Sequence, residues 1–185
     1  MIYVIDHEDS FTYNLVHLLE GFAPTYVSNY YDINWHQLEK SKIIIFSPGP
    51  GNPSHYPETQ TVYKKYKGNK KIIGICLGFQ QILYAENANI VPQKKIYHGY
   101  QSKVKAFKES ALFKANKVFL AGRYHSLKLK EPFDSSSLKI TMRCVESNVA
   151  MAIEDTINNV YGFQFHPDSF LTVDGKFLIQ KVLQF

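Results

Sequence analysis

The first half of the chain alternates short apolar runs with segments of helical periodicity. Residues 2–5 (IYVI), 24–28 (PTYVS), 42–46 (KIIIF) and 72–76 (IIGIC) are the runs that predict strands. The run KIIIF is continuous and rich in β-branched residues, which is typical of a strand that is covered on both faces.

Helices are predicted between these strands. After a possible cap at Asp9 or Ser10, one helical face carries Phe11, Leu15, Leu18 and Leu19. Further helices are expected at residues 35–38, from Pro57 onward, where Val62, Tyr63 and Tyr66 follow, and at residues 77–85. The alternation of strand and helix predicts an open, mostly parallel α/β sheet with helices on both faces.

The second half has a different pattern. Between residues 90 and 165, short apolar segments are separated by turns, including VKAF, KVFLA, LKITM and VAMAI. We expect them to form an antiparallel extension of the main sheet. A last helix is predicted from a cap at Asp174 to about Leu183. Without repeats or a convincing linker, residues 1–185 are interpreted as a single domain.

Composition narrows the class of protein. The chain has 185 residues, of which 45% are hydrophobic, so a substantial core is expected. Neither a signal peptide nor a membrane-spanning run is present, which favours a soluble cytoplasmic protein without a membrane partner. The net charge of +5 comes from scattered lysines without a recognition motif, so no nucleic-acid partner is expected. Two cysteines and scattered histidines do not indicate a disulfide framework or a metal site.

The stretch GICLGFQQ, residues 74–81, places Cys76 between two glycines at the end of a predicted buried strand. The spacing matches the G-x-S-x-G elbow that lifts a serine nucleophile above a sheet. A cysteine at the start of the following helix would be favoured as a thiolate, and the Leu77 N–H would face a developing oxyanion. The five residues fit equally well a buried strand-end cysteine with glycines for turning.

A base for such a nucleophile is offered by GFQFHPDS, residues 162–169. His166 follows an apolar strand, a proline turns the chain, and Asp168 could orient the imidazole in a Cys–His–acid triad. The structural alternative is a strand-end histidine in a polar turn.

Six segments occur along the chain in the following order: DSFTYNL, SPGPGNP, GICLGFQ, YHG, RYHSL and GFQFHPDS. Together they make nearly the whole chain similar to the class I (triad) glutamine amidotransferases, whose fold is flavodoxin-like. Within that class, DSFTYNL and SPGPG resemble the glutaminase subunits of anthranilate synthase and aminodeoxychorismate synthase.

The resemblance implies a role for each matching residue. Cys76 would be the nucleophile that forms a glutamyl thioester, His166 the general base and acid, and Asp168 the third triad member. The N–H groups of Gly51 and Leu77 would form the oxyanion hole. The expected glutamine-binding residues are Gly49, Pro50, Gly51, Leu77, Gln80, Ser126 and Leu127.

Three positions depart from the family pattern. Asp168 stands where the third triad residue is usually Glu, so its side chain is one methylene shorter, and a small misplacement can cost a large factor in rate. Phe79 replaces a common His, for which we expect a packing or interface effect. Tyr100 replaces a common Lys after the YHG segment, in a region implicated in partner contact.

The resemblance further implies a partner. Ammonia released from glutamine would pass to a separate chorismate-using synthase subunit (component I), docked near YHG in a hetero-oligomer that makes anthranilate or 4-amino-4-deoxychorismate. No cofactor or metal is implied. Two alternatives remain open: another cysteine hydrolase on the same fold, and a non-catalytic pseudo-amidotransferase that regulates a synthase. Asp168 keeps the second alternative open.

Overall fold

A computed structural model describes all residues, 1–185. The strands are β1 Ile2–Asp6, β2 Thr25–Asn29, β3 Ile43–Phe46, β4 Lys71–Ile75, β5 Ile90–Pro92, β6 Tyr100–Ala106, β7 Val118–Arg123, β8 Leu127–Leu129, β9 Lys139–Cys144, β10 Ala150–Asp155 and β11 Val160–Phe163. The helices are α1 Thr12–Glu20, α2 Trp35–Lys40, α3 Pro57–Tyr66, α4 Leu77–Ala85 and α5 Gly175–Gln184, and a 3₁₀ turn spans Pro53–His55.

Nine strands form one sheet in the order β2-β1-β3-β4-β11-β10-β9-β6-β7. The first five run parallel, and the pairs from β11 onward are antiparallel. The predicted parallel sheet with an antiparallel extension is therefore confirmed. Strands β5 and β8 depart from that expectation, because they pair with each other in a separate two-stranded sheet.

Helices cover both faces of the sheet. Successive side chains of each strand point to opposite faces, so each face has its own core. Ile2 and Val4 of β1 point into a core that also contains residues of α1 and α5. Tyr3 and Ile5 point to the other face, where the core includes residues of α2, α3 and α4. The carboxyl ends of the parallel strands thus meet at one edge, where ligands bind in open α/β sheets.

The ends of the helices follow local chemistry in part. Asn34 caps α2 by accepting the Gln37 N–H at 3.1 Å, and Pro57 occupies the first turn of α3. The predicted side-chain caps of α1 and α5 are wrong. Asp9 instead accepts the N–H of Phe11 before α1 begins, and Asp174 precedes α5 without a capping bond. None of the helices has the length and apolar character needed to cross a membrane.

Candidate active site

Cys76 lies alone between the end of β4 and the start of α4. Its backbone has φ 54° and ψ −100°, a strained conformation for a residue with a side chain. Two backbone bonds hold it there, because Cys76 donates to the Phe163 carbonyl at 2.8 Å and accepts from the Gln80 N–H at 3.2 Å. This is the geometry that the G-x-C-x-G spacing predicts for an elbow.

The two glycines of the elbow are required by packing. A Cβ at Gly74 would overlap the carbonyl group of Gly78, and a Cβ at Gly78 would overlap the carbonyl oxygen of Phe46. The absence of both side chains lets α4 lie directly against β3 and β4. The helix that begins beside Cys76 is therefore fixed on the sheet.

The side chains of His166 and Asp168 are both buried. The backbone N–H of His166 donates to the Gly122 carbonyl at 3.0 Å, which ties this segment to β7. Asp168 Oδ2 lies 3.5 Å from His166 Nδ1, which is longer than a hydrogen bond. Neither the ring nitrogens nor the carboxylate oxygens have a hydrogen-bond partner within the chain. The shorter side chain of Asp168 thus comes close to the ring and stops short of bonding.

The His166 ring is enclosed by aromatic side chains and charged neighbours. Phe11 and Tyr124 lie against it, with ring centroids 4.9 Å and 5.0 Å away. Burial by itself would lower the pKa of His166, but the Cys76 thiolate and the Asp168 carboxylate favour the charged ring and raise the pKa to about 10. The arrangement therefore keeps the His166 ring charged beside Cys76.

Cys76 opens into a cavity of about 210 Å³ at the carboxyl edge of the parallel strands. Its lining contains all of the predicted glutamine-binding residues, namely Gly49, Pro50, Gly51, Leu77, Gln80, Ser126 and Leu127. Asp9, Tyr124 and His125 also line it, and sequence reasoning did not select these three. His166 and Asp168 are buried beside the cavity and do not form part of its lining.

Gln164 is a further residue that sequence reasoning missed. Its side-chain amide lies 3.8 Å from Cys76 Sγ, and its Oε1 accepts the Gln80 amide N–H at 3.0 Å. The same Gln80 amide reaches the Leu127 carbonyl at 3.5 Å. Gln80 is therefore held between two walls of the cavity. The signal was available, because Gln164 stands two residues before His166 in GFQFHPDS.

The segment from Gly49 to Gly51 packs tightly where it meets α4. A Cβ at Gly49 would lie 2.5 Å from side-chain atoms of both His7 and Leu77, and Gly51 has φ +76°, where only glycine is unstrained. Tyr56 donates its hydroxyl to the Pro50 carbonyl at 2.7 Å. These contacts define the loop that forms one side of the cavity.

The opposite segment, RYHSL, is held by a buried Arg123. Arg123 Nε donates to His125 Nε2 at 3.1 Å, so His125 carries its proton on Nδ1 and donates it to the Leu127 carbonyl at 2.8 Å. Burial lowers the pKa of His125 to about 3, and the Arg123 charge acts in the same direction. The ring centroid of Tyr97 lies 3.4 Å from Cζ of the Arg123 guanidinium. A neutral histidine thus fixes the backbone that carries Ser126 and Leu127.

The two other departures lie in different settings. Phe79 is fully buried in the core formed with α2 and α3, so the substitution there is a matter of packing. Tyr100 is half exposed at the start of β6, with its ring centroid 5.9 Å from that of Tyr97 and the Lys95 ammonium 4.9 Å above it.

Comparison with known proteins identifies the family of the chain. The sequence family described as glutamine amidotransferase class-I matches residues 3–184. Anthranilate synthase component 2 of Lactococcus lactis subsp. lactis is 36% identical over 182 residues, which cover 97% of this chain and 92% of that protein. The component 2 protein of Cyanidium caldarium is 35% identical over 190 residues, covering 99% and 97%.

Solved structures share the fold at lower identity. A Thermoplasma acidophilum protein, provisionally assigned to GMP synthase, has a TM-score of 0.84 at 18% identity and covers 99% of this chain and 92% of its own. A glutamine amidotransferase from Thermotoga maritima has a TM-score of 0.75 at 13% identity, covering 99% and 96%. The predicted resemblance is confirmed: the chain belongs to the class-I glutamine amidotransferase family.

Proposed function

We propose that residues 1–185 form one glutamine amidotransferase domain, the glutaminase subunit of a chorismate-using synthase. The observation that carries the proposal is Cys76 on a strained elbow, opening into a cavity lined by every predicted glutamine-binding residue. His166, with its raised pKa, lies beside it as the group that exchanges protons.

The reaction starts when the Cys76 thiolate attacks the side-chain amide carbon of glutamine. The N–H groups of Gly51 and Leu77 stabilise the oxyanion that forms on the amide oxygen. The His166 imidazolium gives its proton to the amide nitrogen, the C–N bond breaks, and ammonia leaves a glutamyl thioester. Neutral His166 then takes a proton from water, which attacks the thioester carbon and releases glutamate and the Cys76 sulfur.

The other residues position substrate and base. Ser126 and Leu127 hold the amino-acid end of glutamine, and Gln80 contacts the substrate. Asp168 stabilises the charged imidazole by its own charge, at 3.5 Å, without a direct hydrogen bond. The relatives named component 2 support a separate component I partner.

We place the partner contact near His98 and Tyr100, where Ile96 and Tyr100 expose large apolar side chains. The product would be anthranilate or 4-amino-4-deoxychorismate. Both cysteines are free, which suits a reducing compartment such as the cytoplasm.

One observation favours a second candidate. Since Asp168 stops 3.5 Å from His166, the chain could instead be a pseudo-amidotransferase that binds and regulates the synthase without hydrolysing glutamine.

Glutamate release decides between the two candidates. The chain is mixed with each chorismate-using synthase subunit of its own organism, with chorismate and glutamine present. We expect glutamate and the aminated product with one partner. A complex that forms, uses added ammonia and releases no glutamate would establish the regulatory candidate instead.

A further inference from the structure

His7 follows β1 and is completely buried below the loop at Gly49–Gly51. Its ring stacks on Tyr30 at 6.0 Å and meets the edge of Tyr56 at 5.0 Å. The Cβ of His7 lies against Gly49, and the side chain of Leu77 also packs against this glycine. His7 takes no part in the proposed chemistry, yet it touches the loop that lines the cavity.

The hydrogen-bond partners of His7 determine which ring nitrogen carries the proton. Ser47 Oγ donates its only proton to the Pro48 carbonyl at 2.6 Å. It must therefore accept from His7, whose backbone N–H lies at 2.9 Å and whose Nδ1 lies at 3.2 Å. The proton of the ring is on Nδ1.

The other ring nitrogen is then an acceptor. His7 Nε2 accepts from Thr59 Oγ1 at 2.9 Å and from the Gln81 amide at 3.2 Å. Gln60 donates to Gln81 Oε1 at 3.0 Å, which turns the N–H₂ end of Gln81 toward His7. Every polar atom of His7 is thus used in the neutral form, and burial lowers its pKa to about 3.

These bonds join two parts of the chain. On one side, Ser47 and Pro48 lead directly into Gly49–Gly51. On the other, Gln81 belongs to α4, the helix that begins beside Cys76, and Thr59 belongs to α3. The proposed oxyanion donors are divided in the same way, since Gly51 is on the loop and Leu77 is on α4.

We propose that His7 is a positioning residue: it ties the Gly49–Gly51 loop to α4 and so sets the relative placement of the Gly51 and Leu77 N–H groups. This inference rests on the proposed glutaminase function. Hydrogen-bond donors stabilise an oxyanion only when their geometry is fixed before the charge develops, and small displacements are costly. A hydrogen-bonded ring held on both sides supplies that rigidity.

The test uses His7→Asn in the complex with the synthase partner. The Asn amide can keep the donation to Ser47 while losing the contacts to Thr59 and Gln81. We expect kcat for glutamate release to fall about tenfold, with the KM for glutamine changed much less. Thr59→Val, which removes a single donor, should lower kcat by a smaller factor. His17→Asn, at an exposed histidine of α1, is the control that should leave kcat unchanged.

Alkylation of Cys76 by iodoacetamide separates positioning from general damage. That reaction displaces iodide from a saturated carbon and forms no oxyanion, so its rate should be the same in wild type and His7→Asn. Unchanged kcat in both variants would overturn the inference, and so would a parallel loss of alkylation and turnover. If the wild-type complex releases no glutamate, both the proposed function and the inference about His7 are overturned. If the wild-type complex is active, a negative result in the variants concerns His7 alone.

Discussion

His7 and His166 are both buried, but the ring nitrogens of His7 are hydrogen-bonded within the chain and those of His166 are not. Around His7, the partners Ser47, Thr59 and Gln81 satisfy both ring nitrogens, and the pKa of the ring is lowered to about 3. Around His166, neither ring nitrogen is bonded within the chain, and the pKa is raised to about 10.

Burial does not explain this difference, because it lowers the pKa of both histidines. The neighbours explain it. His7 is surrounded by neutral hydroxyl and amide groups, whereas His166 faces the Cys76 thiolate and the Asp168 carboxylate. His125 resembles His7, since it is bonded to a backbone carbonyl and is kept neutral. A buried histidine whose ring nitrogens are both hydrogen-bonded stays neutral and supports the structure around it. A buried histidine with negative neighbours and unbonded ring nitrogens can exchange protons with a substrate.

Replacing Cys76 by Ala removes both the nucleophile and a negative neighbour of His166. Without a nucleophile, glutamine-dependent synthesis should fall by at least about 10⁴-fold, while synthesis from added ammonia by the partner continues. The loss of the thiolate also removes the first group that raises the pKa of His166. NMR titration of the ring should then give a lower pKa in the variant than in wild type.

Cys144→Ala is the matched control. Cys144 is buried like Cys76 but does not line the cavity, and its side chain bonds to Arg123 and Glu146. It should retain glutamine-dependent synthesis. Persistent glutamine use in Cys76→Ala would remove the basis of the assignment.

Gly78→Ala tests whether the packing of α4 on the sheet requires glycine in the elbow. Alanine favours helices by about 1 kcal/mol over glycine, yet its Cβ would overlap the Phe46 carbonyl and force α4 off the sheet. We expect a net loss of about 3 kcal/mol in the free energy of unfolding, measured by chemical denaturation.

Gly21→Ala provides the comparison for this change. Gly21 ends α1 with φ −65°, and its Cβ would meet only the Leu18 carbonyl at 3.4 Å. Its effect should stay within about 0.5 kcal/mol. Equal stability losses at the two glycines would contradict the packing argument.

Sequence patterns predicted the elements whose causes are local. The run KIIIF became the buried strand β3, and the spacing around Cys76 predicted its elbow. The motif resemblance also selected cavity-lining residues from distant loops. The strand and the elbow could be predicted because side-chain alternation and the geometry of short segments are set by neighbouring residues.

Long-range contacts were outside the reach of these patterns. Gln164 meets Gln80 across 84 positions of sequence, and His7 meets Gln81 across 74. Which hydroxyl or amide faces a buried ring depends on how strands and helices pack, and no local signal reports it. The same is true of the 3.5 Å separation at Asp168, which depends on the whole turn after β11.

Changing Asp168 tests how its charge and its distance from His166 affect turnover. Asp168→Asn removes the charge next to His166 and should lower kcat by about 10²-fold. Asp168→Glu adds the methylene that could close the gap of 3.5 Å and should raise kcat a few-fold. Steady-state glutamate release by the partner complex measures both. A lower kcat in Asp168→Glu would mean that the turn already fits the shorter side chain.

Acid should change the stability of the folded chain through its buried histidines. His7 and His125 have pKa values near 3 in the folded chain and about 6.5 when unfolded. Below pH 6.5 the unfolded chain therefore binds protons that the folded chain excludes, so the stability present above pH 6.5 is lost as the pH falls toward 3. His166 behaves oppositely, because its stabilisation is complete below pH 6.5 and is lost as the pH rises toward 10.

His7→Asn isolates one part of this response. Each excluded proton contributes a slope of about 1.4 kcal/mol per pH unit once the unfolded histidine is charged. Carboxylates also titrate in this range, but they are common to both proteins and cancel in the difference. Unfolding free energies of wild type and His7→Asn, measured by denaturant between pH 4.5 and 7.5, should run parallel above pH 6.5. Below it, the wild-type value should fall more steeply by up to that slope. Parallel curves throughout would mean that folded His7 accepts a proton, and the contrast between the neutral His7 and the charged His166 would no longer hold.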